Sequence, residues 1–123
     1  MAKNIEDYID QTILERANID SNRMLLFFTK RYHCRAYLGH IPEKNYTIVI
    51  VEARRVNKNK NSREETREDW YFGTVDGDLL ARINQGEIRE VNSTLTSQVI
   101  VNSKKLKSPT QLQKKVSASL KSG

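Results

Sequence analysis

The apolar positions of this chain change period along its length, and each change marks a change of element. Ile5, Ile9, Ile13 and Ala17 recur at helical spacing, with Glu6, Asp7, Asp10, Glu15 and Arg16 on the remaining faces. Asn4 is placed to cap that helix, and Glu6 and Asp7 suit the positive end of its dipole. The pattern predicts one amphipathic helix over residues 5–17. Residues 24–39 fit two periods. Tyr32, Cys34, Ala36 and Leu38 alternate with Arg31, His33, Arg35 and Tyr37, as in a strand, while Leu25, Phe28, Tyr32 and Ala36 also share a helical stripe ended by Gly39. Aromatic and branched content favours two strands.

Residues 46–56 are less ambiguous. The run Thr47, Ile48, Val49, Ile50, Val51 is β-branched and apolar on both faces, which predicts a central, covered strand. The polar, proline-containing stretch 40–45 before it predicts a hairpin. Residues 57–66 hold no apolar side chain and read as a solvated loop. Trp70, Tyr71 and Phe72 return as a strand over 69–75, and Asp76-Gly77 is a turn signal. Residues 78–85 read as a short helix capped by Gly86 or as the return strand of a hairpin. Residues 88–91 and 94–101 read as two further strands.

At the end, Ser108, Pro109 and Gln111 form a helix-start signature, followed by Leu112, Val116 and Leu120 at four-residue intervals. The expected fold is α+β: an N-terminal helix packed on a mainly antiparallel sheet of about five strands, then a basic C-terminal helix. The domain spans residues 1–101, and residues 102–123 form a basic linker and helix.

Charge sharpens this picture. The last 33 residues carry six lysines, Lys104, Lys105, Lys107, Lys114, Lys115 and Lys121, and no aspartate or glutamate. The net charge of +6 is therefore 15 − 15 for the body plus 6 for the end. A neutral body can fold without self-repulsion, while a one-signed end presents a concentrated field to a polyanion. Lysine suits phosphate contact more than base reading, which favours bidentate arginine. A second basic group comprises Arg31, Arg35, Arg54, Arg55, Lys58 and Lys60. Pairing of the two strands as a hairpin brings its halves together, with Tyr32 or Tyr37 as a stacking surface for unpaired bases. Aromatic residues in such strands are more often core, and Glu64, Glu65, Glu68 and Asp69 follow closely enough to offset the charge.

Catalytic patterns are weak. Arg35 and His40 resemble, in spacing alone, the R-x4-H pair of a class of small ribonucleases. Those enzymes are all-helical, and the β-branched run 47–51 argues against that fold. His33 and Cys34 are adjacent, so on a strand they point to opposite faces and cannot share a metal. Glu52 and Arg54 stand at a nuclease-like spacing, but arginine replaces the expected lysine, and a strand turning polar as it leaves the core explains them. The five glycines form no phosphate loop. No cofactor, metal or enzymatic activity is expected. A lone Cys34 excludes an internal disulfide and fits a reducing, cytoplasmic setting. The longest apolar stretch, Met24 to Phe28, is far below the ~20 residues of a membrane helix.

The expected function is that of a small nucleic-acid-binding accessory protein, with RNA or DNA as partner, acting mainly through phosphate-backbone electrostatics. The alternative is an interaction or inhibitor module that docks its basic C-terminal helix on an acidic protein surface. A homodimer through paired sheet edges is compatible with either.

Overall fold

A computed structural model describes residues 4–55, 68–83 and 103–121. The described strands form one antiparallel sheet in sequential order: β1 (Leu25–Phe28), β2 (Tyr32–Ile41), β3 (Tyr46–Arg55), β4 (Glu68–Asp76) and β5 (Ser103–Lys105). With it stand the short helices α1 (Gln11–Arg16), α2 (Leu79–Arg82) and α3 (Leu112–Leu120), and 3-10 turns at Ile5–Asp7 and Pro109–Gln111. The class is α+β.

The stretch 24–39 holds two strands, β1 and most of β2, joined through residues 29–31. A turn after Ile41 closes the β2–β3 hairpin, with Asn45 in the left-handed region at φ 50. That turn sets the register for the whole pair, from Ile41 opposite Tyr46 to Tyr32 opposite Arg55. The β-branched run in β3 is covered on both faces, as a central strand requires.

Strand alternation divides the interior into two clusters. On one face Tyr37, Ile41, Ile48, Ile50 and Trp70 share a cluster with Ile5, Ile9, Leu14, Ala17, Leu106, Leu112 and Val116. On the other, Leu25, Phe27, Cys34, Ala36, Val49, Val51, Ala53 and Val75 share one with Leu79 and Ile83. The first is the Tyr37 face and the second the Cys34 face. Thr47 fixes the turn into α2: its hydroxyl donates to Gly77 O at 2.8 Å and accepts from Leu79 N at 2.9 Å.

The structure corrects several expectations. The first helix is not continuous over 5–17. It breaks at Tyr8–Asp10, where extended Asp10 caps α1 and donates its own N–H to Gln113 Oε1 at 2.9 Å. The break turns the second piece so that Leu14 is buried and Ile13 only partly so. The segment 102–107 is no plain linker, because it contains β5 and the Leu106 N–H donates to Trp70 O at 2.8 Å. Asp76-Gly77 leads into α2, which settles residues 79–82 as a helix rather than a return strand. The loop at 57–66, the cap Gly86 and the strands expected at 88–91 and 94–101 lie outside the described residues, as do Lys58 and Lys60.

Ser108 caps the final helical segment through its side chain, which accepts from Thr110 N at 3.3 Å. The far end is held by the β2–β3 hairpin. Lys44 Nζ donates to Ser119 O at 3.0 Å and to Lys121 O, and Tyr46 OH donates to Ser119 O. A cation on the last carbonyls of a helix satisfies otherwise unpaired acceptors and complements the dipole.

Candidate functional site

The register places the basic residues at opposite ends of the sheet. Tyr32 opposite Arg55, His33 opposite Arg54 and Arg35 opposite Glu52 bring Arg31, Arg35, Arg54 and Arg55 to one end. β5 adds Lys105 and then Lys107 on the far side of β4 at that same end, where Glu68, Trp70, Lys105, Lys107 and Ser108 line an open cleft of about 480 Å3. Lys121 closes α3 beside Lys44 and Tyr46, at the other end. Tyr46 and Arg54 are separated by roughly 26 Å along β3 at ~3.3 Å per residue. Lys114 and Lys115 are exposed on the first turns of α3, and Lys104 is exposed on β5 opposite Phe72. One linear ligand therefore meets the arginine end or the Lys121 end first, and the two are not one patch.

Arg31 and Arg55 are exposed, while Arg35 and Arg54 are half-buried because both lean on Glu52. Arg35 Nε stands 3.9 Å and Arg54 Nε 3.6 Å from Glu52 Oε1. Glu52 itself is 2% exposed, so the strand does not simply turn polar as it leaves the core. Burial raises its carboxyl to about 7, helped by a hydrogen bond to Glu68 and that residue's charge, and opposed by Arg54 and Arg35. Burial and the Glu52 charge likewise raise the Tyr37 hydroxyl, against Arg35 and Arg54. Tyr8 packs edge-on to Trp70 with ring centroids 5.6 Å apart. Its hydroxyl is raised by burial, then by Glu68, Asp7 and Glu52. Glu52 Oε1, Glu68 Oε1 and Trp70 Nε1 are enclosed without a hydrogen-bond partner among the described residues.

The expected stacking surface is misplaced. Tyr37 is 2% exposed and belongs to the core, and Tyr32 is half-buried on the Cys34 face. The exposed ring is Phe28, 65% exposed at the end of β1 on the Tyr37 face, with Leu26 beside it. His33 lies edge-on to it at 4.8 Å. Alternation treats an aromatic residue in a strand as core, so the sequence does not mark Phe28 as an exposed ring with His33 against it. An exposed aromatic ring among arginines can stack an unpaired base while the cations hold phosphate.

The end of the chain is also less one-signed in space than along the sequence. Lys105 Nζ lies 3.5 Å from Asp69 Oδ1 on β4. Arg35 and His40, five residues apart on β2, project from opposite faces. His40 lies 3.5 Å from Asp78 instead. His33 is exposed on one face and Cys34 buried on the other. Among the described residues no group of three or more histidine, cysteine or acidic side chains is placed to hold a metal, and no helix is long and apolar enough to cross a membrane. No protein-family model, curated protein or solved structure matches the chain.

Proposed function

We propose that this protein binds single-stranded nucleic acid without catalysing a reaction on it, mainly through phosphate contacts, at the sheet end that carries Phe28. The observation that carries the reading is the exposed Phe28 ring on the same sheet end as Arg31, Arg35, Arg54 and Arg55. In this reading the helices of the N-terminal segment brace the sheet from its Tyr37 face. The basic C-terminal helix, with Lys114, Lys115 and Lys121, supplies a second, remote phosphate contact. Lys105 and Lys107 of β5 and its extension add to the arginine end from the far side of β4, and Lys104 is exposed on β5. A bound strand has unpaired bases available for Phe28, whereas a duplex hides its base faces in the stack.

The alternative, a basic helix docked on an acidic protein, draws less support. Leu112 and Val116, the apolar line that would seat such a helix on a partner, are fully buried within this chain. Placement of Arg35 and His40 on opposite faces supports the non-catalytic reading, since one phosphate cannot engage both.

Purification at low salt tests the proposal. Co-purifying nucleic acid raises the 260 to 280 nm absorbance ratio, and nuclease treatment lowers it. A protein that stays nucleic-acid-free and is not displaced from a captured protein by added oligonucleotide contradicts the reading.

A further inference from the structure

The Glu52–Glu68 pair sits directly behind the two arginines of the proposed surface, and its position is unusual for a charged group. Arg54 lies opposite Glu68 and Glu52 lies opposite Trp70, so the two carboxyls are diagonal neighbours on the Tyr37 face. Glu68 helps to hold a proton on Glu52, second to burial. Two carboxyl groups can share a hydrogen bond only with a proton between them, because ionised carboxylates are acceptors alone. Both Oε1 atoms are enclosed, so neither oxygen is open to an incoming ligand. Glu52, 2% exposed, reaches the surface through Arg35 and Arg54.

We propose that the Glu52–Glu68 pair gates the grip on phosphate: with Glu52 neutral, Arg35 and Arg54 present their charge outward, and with Glu52 ionised they are held by it. The inference rests on the binding surface proposed above and adds its regulation.

Other groups around Glu52 are fixed or act separately. On its own strand stands Arg54; from β2 come Arg35, Tyr37 and, on the diagonal, His33. From β4 come Glu68 and the Trp70 indole, and from the N-terminal turn Tyr8 and Asp7. Lys104 of β5 faces the next rows, opposite Phe72. The tyrosine hydroxyls are raised and stay neutral through the window of interest. Glu52 is the group here whose carboxyl is raised into the neutral range, and substitution separates it from His33. The direction follows from the raised Glu52 carboxyl, at about 7. Proton uptake below that value removes one negative charge beside the arginines, and phosphate binding tightens as pH falls.

Oligothymidine binding measured by fluorescence anisotropy from pH 6 to pH 8 at fixed ionic strength tests the gate, since thymine does not titrate there. One charge about 8 Å away at an effective dielectric of 20 to 80 predicts, with the carboxyl only partly titrated at either end, a weakening of roughly 2- to 8-fold over that range. Glu52→Gln, which holds the site neutral, should bind at pH 8 as tightly as the unaltered protein binds at pH 6. His33→Ala removes the imidazole and should leave a pH slope. A Glu52→Gln profile parallel to that of the unaltered protein, or a slope abolished by His33→Ala, overturns the gate.

Calorimetry in buffers of different ionisation enthalpy adds a test on the unaltered chain. By linkage, binding near pH 7 must draw in a fraction of a proton, and a proton count of zero overturns the gate without any variant. Tight binding with no pH dependence sinks the gate and leaves the surface standing. No binding at any pH sinks the surface, and the gate with it.

Discussion

Gly39 and Ala17 touch so closely that neither strand β2 nor the end of α1 has room for a side chain between them. A Cβ at Gly39 would lie 2.1 Å from the Ala17 carbonyl oxygen and 2.6 Å from Ile19 Cγ1. The nearer atom is backbone, and it belongs to a turn already constrained: Asn18 adopts φ 58, and its side-chain amide donates to His40 O at 2.8 Å. The helix end is thus seated on β2 by a contact that only glycine permits.

Gly39→Ala must therefore push α1 off the sheet or bend β2. The expected cost is about 2–4 kcal/mol, at or above the usual range for overpacking because backbone cannot rotate away. Urea unfolding measures it. A variant as stable as the unaltered protein would contradict the contact.

Cys34 should be a poor nucleophile. Burial raises its thiol to about 11, so about one molecule in 10³ carries the thiolate at pH 8. Labelling by a disulfide reagent at pH 8 should be slow and should accelerate in denaturant. Immediate stoichiometric labelling of the folded protein would contradict this placement.

Glu52 makes stability depend on pH in a stated direction. Its folded carboxyl is raised from 4.5 to about 7, so the fold binds this proton more tightly than the unfolded chain does. That contribution is complete below about pH 4.5 and is lost as pH rises through about 7. Glu52→Gln should shift stability favourably, relative to the unaltered protein, by ~1–3 kcal/mol more at pH 8 than at pH 5. An equal effect at both values would contradict the raised carboxyl.

Leu112 and Leu120 anchor α3. Leu112 is fully buried and Leu120 partly so, against a cluster that includes Ile5, Ile9 and Trp70. A nine-residue helix is marginal without such burial. Replacing both leucines with serine keeps every charge and should cost about 2–5 kcal/mol, with faster amide exchange from Leu112 to Leu120. Free exchange of that segment in the unaltered protein would contradict the docking.

How far the sequence carries can be read from these residues. Period-two alternation in 32–41, the β-branched run 47–51 and the aromatic return at 70–72 were legible because a strand half-buried or covered writes its faces into its own sequence. The break at Asp10 was not, since its amide is satisfied by Gln113, 103 residues away. Ser103–Lys105 shows no apolar alternation, and its strand conformation comes from pairing with β4. The site failed in the same way. A glutamate reads as surface and an aromatic in a strand as core, yet Glu52 is enclosed and Phe28 is exposed. Asp69 opposes Lys105 only across strands, so a count of charges along the chain overstated the field of the end.

The central claim is that nucleic acid lies across the sheet end bearing Phe28 and the arginines, and one titration series addresses it. Oligothymidine affinity is measured against salt for the unaltered protein, for Phe28→Ala, and for Arg31→Ala with Arg55→Ala. Loss of a stacked base predicts that Phe28→Ala binds roughly 5- to 100-fold more weakly with an unchanged salt slope. Loss of two phosphate contacts predicts that the double arginine variant lowers the slope by about 1.4, at ~0.7 per contact for a single strand. If both variants keep the affinity and the salt slope of the unaltered protein, nucleic acid does not bind there, and the account is wrong at its centre.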